Sequence, residues 1–88
     1  MDVTFDPGKD AANLAKHGIS LSRAAEFDLG AAIITVDDRF NYGEVRYRAF
    51  AYLDGEGRCL AFTITDLAEI RVISFRRARQ KEMKRYGL

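Results

Sequence analysis

The sequence is short of the residues that staple, ligate or span. It has one cysteine, one histidine and one proline in 88 residues. A single cysteine, Cys59, rules out an internal disulfide and fits the reducing cytoplasm. One Cys and one His cannot build a zinc site of the Cys/His kind, so no metal and no cofactor is expected. No apolar run approaches the length of a membrane span, and the first ten residues do not form a signal peptide. Repeats, low-complexity tracts and linkers are absent too. A chain of this size supports one hydrophobic core, so residues 1–88 are expected to form a single domain.

What is present is an uneven distribution of charge. The net charge of +1 hides a basic end and an acidic body. Residues 70–88 hold Arg71, Arg76, Arg77, Arg79, Lys81, Lys84 and Arg85 against Glu82 alone, a balance of +6, whereas residues 1–69 balance at −5. A basic end of this kind reads as a seat for something anionic.

Asp6-Pro7 starts a helix, with Asp as N-cap and Pro at the first helical position, and Gly18 ends it. The helical period places Ala11, Leu14 and Ala15 on the side expected to meet the core, with Lys9, Asn13 and Lys16 opposite. A second short helix opens near Ser20 or Ser22, with Leu21, Ala24, Ala25 and Phe27 as its apolar side. Residues 31–36, rich in β-branched side chains, read as a strand, and residues 37–43 as a polar loop.

From Glu44 to Leu53 the sequence alternates. Val45, Tyr47, Ala49, Ala51 and Leu53 take one face, and Arg46, Arg48, Phe50 and Tyr52 the other. A turn at residues 54–57 leads to a returning strand over 58–65, and a strand over 70–75 follows, with Ile70, Val72 and Ser74 opposite Arg71, Ile73 and Phe75. Short connections require an antiparallel meander. A terminal helix is placed near residues 77–86. The expectation is an α+β fold of order ααββββα, a four-stranded antiparallel sheet with helices on one face, in two layers.

Three blocks carry a family resemblance: Asn13-Leu14-Ala15-Lys16-His17-Gly18-Ile19-Ser20, then Gly43-Glu44-Val45-Arg46, then Arg71-Val72-Ile73-Ser74-Phe75-Arg76-Arg77-Ala78 with Glu82 and Tyr86 trailing. In this order and spacing the chain resembles the BrnT toxins of type II toxin–antitoxin systems, which are similar in fold to the RelE ribonucleases. One departure is Arg23, where members often carry an acid three residues after the Ser. The resemblance implies an RNA-cleaving toxin that blocks translation. It also implies a cognate BrnA-like antitoxin with a ribbon-helix-helix DNA-binding fold, operator DNA being met only through that antitoxin.

Metal-free RNA cleavage needs a base for the 2′-hydroxyl, an acid for the 5′ oxygen and positive charge on the phosphorane-like transition state. Arginine suits the last task through its planar fork and permanent charge. Arg76 and Arg79, expected beside a helix N-terminus, are the favoured catalytic candidates, with Glu44, Arg46 and His17 beside them. Glu44 and Arg46 read equally as a structural ion pair, and His17 equally as a helix-terminal residue. Lys16, Arg48, Arg71, Arg77, Lys81, Lys84 and Arg85 are candidates for RNA contact, and several read equally as a solvated basic face. The rival reading is a non-catalytic module that binds an antitoxin-like partner and adds basic surface to DNA binding.

Overall fold

The computed structural model describes residues 2–88. Its elements run β1 (Val3–Thr4), α1 (Pro7–His17), a 3-10 turn (Leu21–Glu26), β2 (Ile33–Asp37), β3 (Arg46–Leu53), β4 (Glu56–Ile64), β5 (Ile70–Arg77) and α2 (Gln80–Arg85). The sheet has five strands in the order β1-β5-β4-β3-β2, not the four expected. The extra strand, β1, lies parallel to β5, pairing Val3 with Ile70 and Thr4 with Arg71. Two residues are too few to show an alternating pattern, so only the pairing reveals it. The other four strands form the expected antiparallel meander. Asp54 (φ 52°) and Gly55 (φ 77°) make the two-residue turn between β3 and β4, the left-handed pair that matches strand twist.

Helix α1 is capped as its sequence requires. The Asp6 carboxylate accepts the Lys9 N–H at 2.9 Å. Gly18, at φ 71°, donates its N–H to the Leu14 carbonyl at 2.9 Å, a left-handed cap that favours glycine. The buried face of α1 is the reverse of the expected one. Ala11, Leu14 and Ala15 are exposed, while Asn13 is buried and Asp10 and His17 are partly buried.

The reason is that α1 packs polar groups onto open backbone. The Asn13 amide donates to the carbonyls of Ile19 (2.9 Å) and Phe75 (2.8 Å) and accepts the Phe75 N–H at 3.1 Å. It thereby closes the edge of β5 beyond the end of β1. Asp10 accepts the Ser20 hydroxyl at 2.8 Å and the Leu21 N–H at 2.7 Å, tying α1 to the 3-10 turn. Buried backbone groups without partners are costly, and here a helix supplies them.

The alternation on β3 holds, and it divides the sheet into two unlike faces. On one, Ala49, Ala51, Leu60, Phe62, Ile70, Val72 and Phe75 pack against Ile19, Leu21, Ala24 and Phe27 from the 3-10 region. On the other, Phe50 and Cys59 lie under Ala78 and Met83 of the C-terminal segment, with Tyr86 stacked on Phe50 at 4.6 Å. Helix α2 therefore covers the opposite face from the 3-10 turn, and the domain has three partial layers where two were expected. Gly57 permits the approach, because a Cβ there would meet the Met83 Cγ at 2.9 Å.

A bulge in β5 settles which arginines face this second side. Ala61 pairs with Ser74 and Phe62 with Val72, leaving Ile73 as an extra residue. Parity changes there, so Phe75 joins Ile70 and Val72 in the core, whereas Ser74 and Arg76 join Arg71 on the other face. The uniform alternation expected for residues 70–75 is thus broken. β5 also runs on to Arg77, and α2 shrinks to six residues. Arg76 and Arg77 are consequently strand residues, and neither is part of a helix N-terminus.

Candidate functional site

The second sheet face opens into a cleft of about 660 Å³ beside α2. Lys16 and His17 reach it from the end of α1, Arg48 from β3, Arg76 and Arg77 from β5, and Arg79, Lys81, Glu82 and Arg85 from α2 and its N-cap. Arg39, from the loop after β2, completes the wall. Eight cationic side chains and one acid line this space. Such a concentration of charge in a concave site focuses a positive potential on whatever enters.

The cations are not equivalent. Arg76 grips Glu82 through two hydrogen bonds, Nη1 to Oε1 at 2.8 Å and Nη2 to Oε2 at 2.9 Å. That fork lowers the Glu82 carboxyl to about 2, against the penalty of its burial. Glu82 Oε1 also accepts the Arg79 N–H at 2.9 Å, so one carboxylate joins β5 to the start of α2. Arg39 is likewise forked onto the buried Asp37, at 2.8 and 2.9 Å, and holds that carboxyl well below the usual range. Arg77 pairs with Glu56 at 3.0 Å. Among the described residues Arg48 has no carboxylate partner, and its guanidinium lies 5.6 Å from the centre of the Phe50 ring.

His17 is partly buried at the mouth of this cationic space. Burial comes first and the nearby charges of Lys16 and Arg76 second, and together they push its pKa below the ordinary 6.5. The shift favours the neutral imidazole, the form able to accept a proton.

The sequence candidates fall into three places. Lys16, His17, Arg48, Arg76, Arg77, Arg79, Lys81 and Arg85 line the cleft together. Glu44, Arg46 and Arg71 do not. Glu44 accepts from Arg46 Nε at 3.1 Å and from Arg71 Nη2 at 2.9 Å, forming a separate ion cluster at the far end of the same sheet face. Its carboxyl is held below the ordinary value, chiefly by the hydrogen bond from Arg46 and then by the charge of Arg71. Lys84 lies on the other side of α2, in a hollow with Tyr52, Met83 and Leu88. Cys59 is buried beneath α2, and burial pushes its thiol up, which suits packing and not nucleophilic attack.

Two residues escaped the sequence reading. Arg39 was hidden in a stretch that resembles an ordinary polar loop, although an acid two residues before an Arg was a visible hint. Asn13 was hidden by helical periodicity, which assigned it to solvent.

Fold and cleft define a small α+β domain that presents concentrated positive charge to an anionic polymer or an acidic partner. A family model described as "Ribonuclease toxin, BrnT, of type II toxin-antitoxin system" matches residues 5–82, and the chain belongs to that family. The crystal structure of the Brucella abortus ribonuclease toxin BrnT superimposes with a TM-score of 0.71 at 27% identity, covering 91% of this chain and 99% of that one. No curated protein sequence matches significantly. Membership of a toxin–antitoxin family implies an antitoxin as partner. Among the described residues no helix is long and apolar enough to cross a membrane.

Proposed function

We propose that the chain is a metal-independent endoribonuclease that arrests translation in the cytoplasm, with the basic cleft as its active site. The carrying observation is the convergence of His17, Lys16, Arg48, Arg76 and Arg79, from both helices and two strands, on one cavity. In this reading neutral His17 takes the proton of a 2′-hydroxyl, and the resulting oxygen attacks the adjacent phosphorus. Arg48 and Arg79 hold the phosphate and stabilise the charge of the pentacoordinate transition state. The bond to the 5′ oxygen breaks, that oxygen takes a proton from a lysine ammonium such as Lys16, and a 2′,3′-cyclic phosphate remains.

Arg76 serves differently from its neighbour. Committed to Glu82 by two hydrogen bonds, it holds α2 against the sheet and adds background charge. Glu44, Arg46 and Arg71, candidates for catalysis by sequence, act in this reading as an ion cluster bracing the sheet end. Among the described residues no group of three or more His, Cys, Asp and Glu side chains could hold a metal ion. Kinship with RelE ribonucleases and a ribbon-helix-helix antitoxin that brings the complex to operator DNA belong to the same proposal.

Expression without antitoxin tests it. Growth should stop with the parent chain and continue with the Arg48→Ala, Arg79→Ala double variant at equal abundance. Equal toxicity of that variant would place the site elsewhere.

A further inference from the structure

Among the described residues, strand β2 is an edge strand of the sheet, hydrogen-bonded to β3 alone. Its five pairs with β3 run without a bulge, and it holds no proline or lysine to discourage another strand. Ile34 and Val36 are 45% and 58% exposed on the core-side face, and Ile33 is 39% exposed on the cleft-side face. Thr35, on the cleft side, is the register partner of Arg48, a cleft arginine with no carboxylate partner among the described residues. A strand laid along β2 would therefore meet apolar side chains on one face and reach unpaired positive charge on the other.

We infer that β2 is the docking edge for an extended segment of the antitoxin, which adds a sixth strand to the sheet. This rests on the chain's membership of a toxin–antitoxin family, and it adds the surface and the chemistry of the partner segment. Alternation fixes that chemistry. Residues of one parity are apolar and cover Ile34 and Val36. Those of the other parity include an acid opposite Thr35, one strand spacing farther from Arg48, within joint reach of the carboxylate and the guanidinium. The docked segment thus masks the edge and neutralises the cleft in one event.

Hydrogen exchange on the free chain and on its complex with antitoxin reads this directly. The outward amides of Ile33–Asp37 should exchange quickly in the free chain and become protected in the complex. The Ile34→Lys, Val36→Lys double variant should keep the thermal midpoint and the RNA cleavage of the parent. It should bind antitoxin roughly 10- to 100-fold more weakly, as expected when two apolar contacts are lost. Protection confined to the cleft residues of α1 and α2, with β2 amides unchanged, overturns the inference. So does a free chain that sediments as a dimer with β2 already protected, since the occupant is then a second copy. If β2 is protected while the free chain cleaves no RNA, docking stands and the catalytic reading fails.

Discussion

The two faces of the sheet are built from the same strands and do opposite work. One is closed by Leu21, Ala24 and Phe27, with Phe75 fully buried and in edge contact with Phe27 at 5.3 Å. The other has a small apolar anchor of Phe50, Cys59, Ala78 and Met83, and beyond it arginines facing open space. Stability is concentrated where the alternating residues are apolar and covered, and positive charge where they are uncovered. β5 belongs to both because its bulge sends Phe75 one way and Arg76 the other.

Substitutions on the two faces should separate these roles. Phe75→Ala should have the largest effect on stability, about 3–5 kcal/mol lost in urea denaturation, because the cavity left in the core cannot collapse freely. Arg48→Ala, one strand position from Ala49 of the same core, should cost under about 1 kcal/mol yet reduce RNA cleavage about 100-fold or more. Equal losses of stability for the two variants would dissolve the distinction between the faces.

Glu82→Gln tests the seam between them. Removing half of a largely covered ion pair should cost about 1–3 kcal/mol, discounted for the part that water still reaches. The pH dependence has a defined sign. The Glu82 carboxyl is depressed from an ordinary 4.5 to about 2, so its contribution is complete above pH 4.5 and disappears as pH falls through 2. Thermal midpoints of parent and variant should differ at pH 6 and converge toward pH 2.

His17 should give the smallest but most specific signal. Its pKa is lowered, so the acid limb of the kcat/KM profile should lie below pH 6.5 and vanish in His17→Gln. Because the folded protein disfavours the protonated form, this group also lowers stability as pH falls from 6.5 through its depressed pKa. A limb at or above 6.5 would exclude the cation-rich setting described for it.

The strand meander, the β3 alternation and the Asp6-Pro7 helix start were legible in the residues, since each rests on local patterns of two or three positions. The resemblance to BrnT toxins was legible in three spaced blocks. The details that build the cleft were not. The bulge at Ile73 depends on how β5 registers against β4, and no period within β5 announces it. The burial of Asn13 depends on the open backbone of Phe75, 62 positions away. Arg48, which looked like one arginine in a row, is distinguished by lacking the carboxylate that Arg46, Arg76 and Arg77 possess. Such differences belong to partners across the fold, which a linear reading sees only as composition.

The central claim is that the cationic cleft cleaves RNA through the substrate's own 2′-hydroxyl. The most direct measurement is cleavage of a defined RNA oligonucleotide by antitoxin-free protein in EDTA, beside the same oligonucleotide with one 2′-deoxy residue at the cut. The account predicts cleavage of the first to a 2′,3′-cyclic phosphate and none of the second at that position. Cleavage that requires magnesium, or that persists through the deoxy residue, would contradict it.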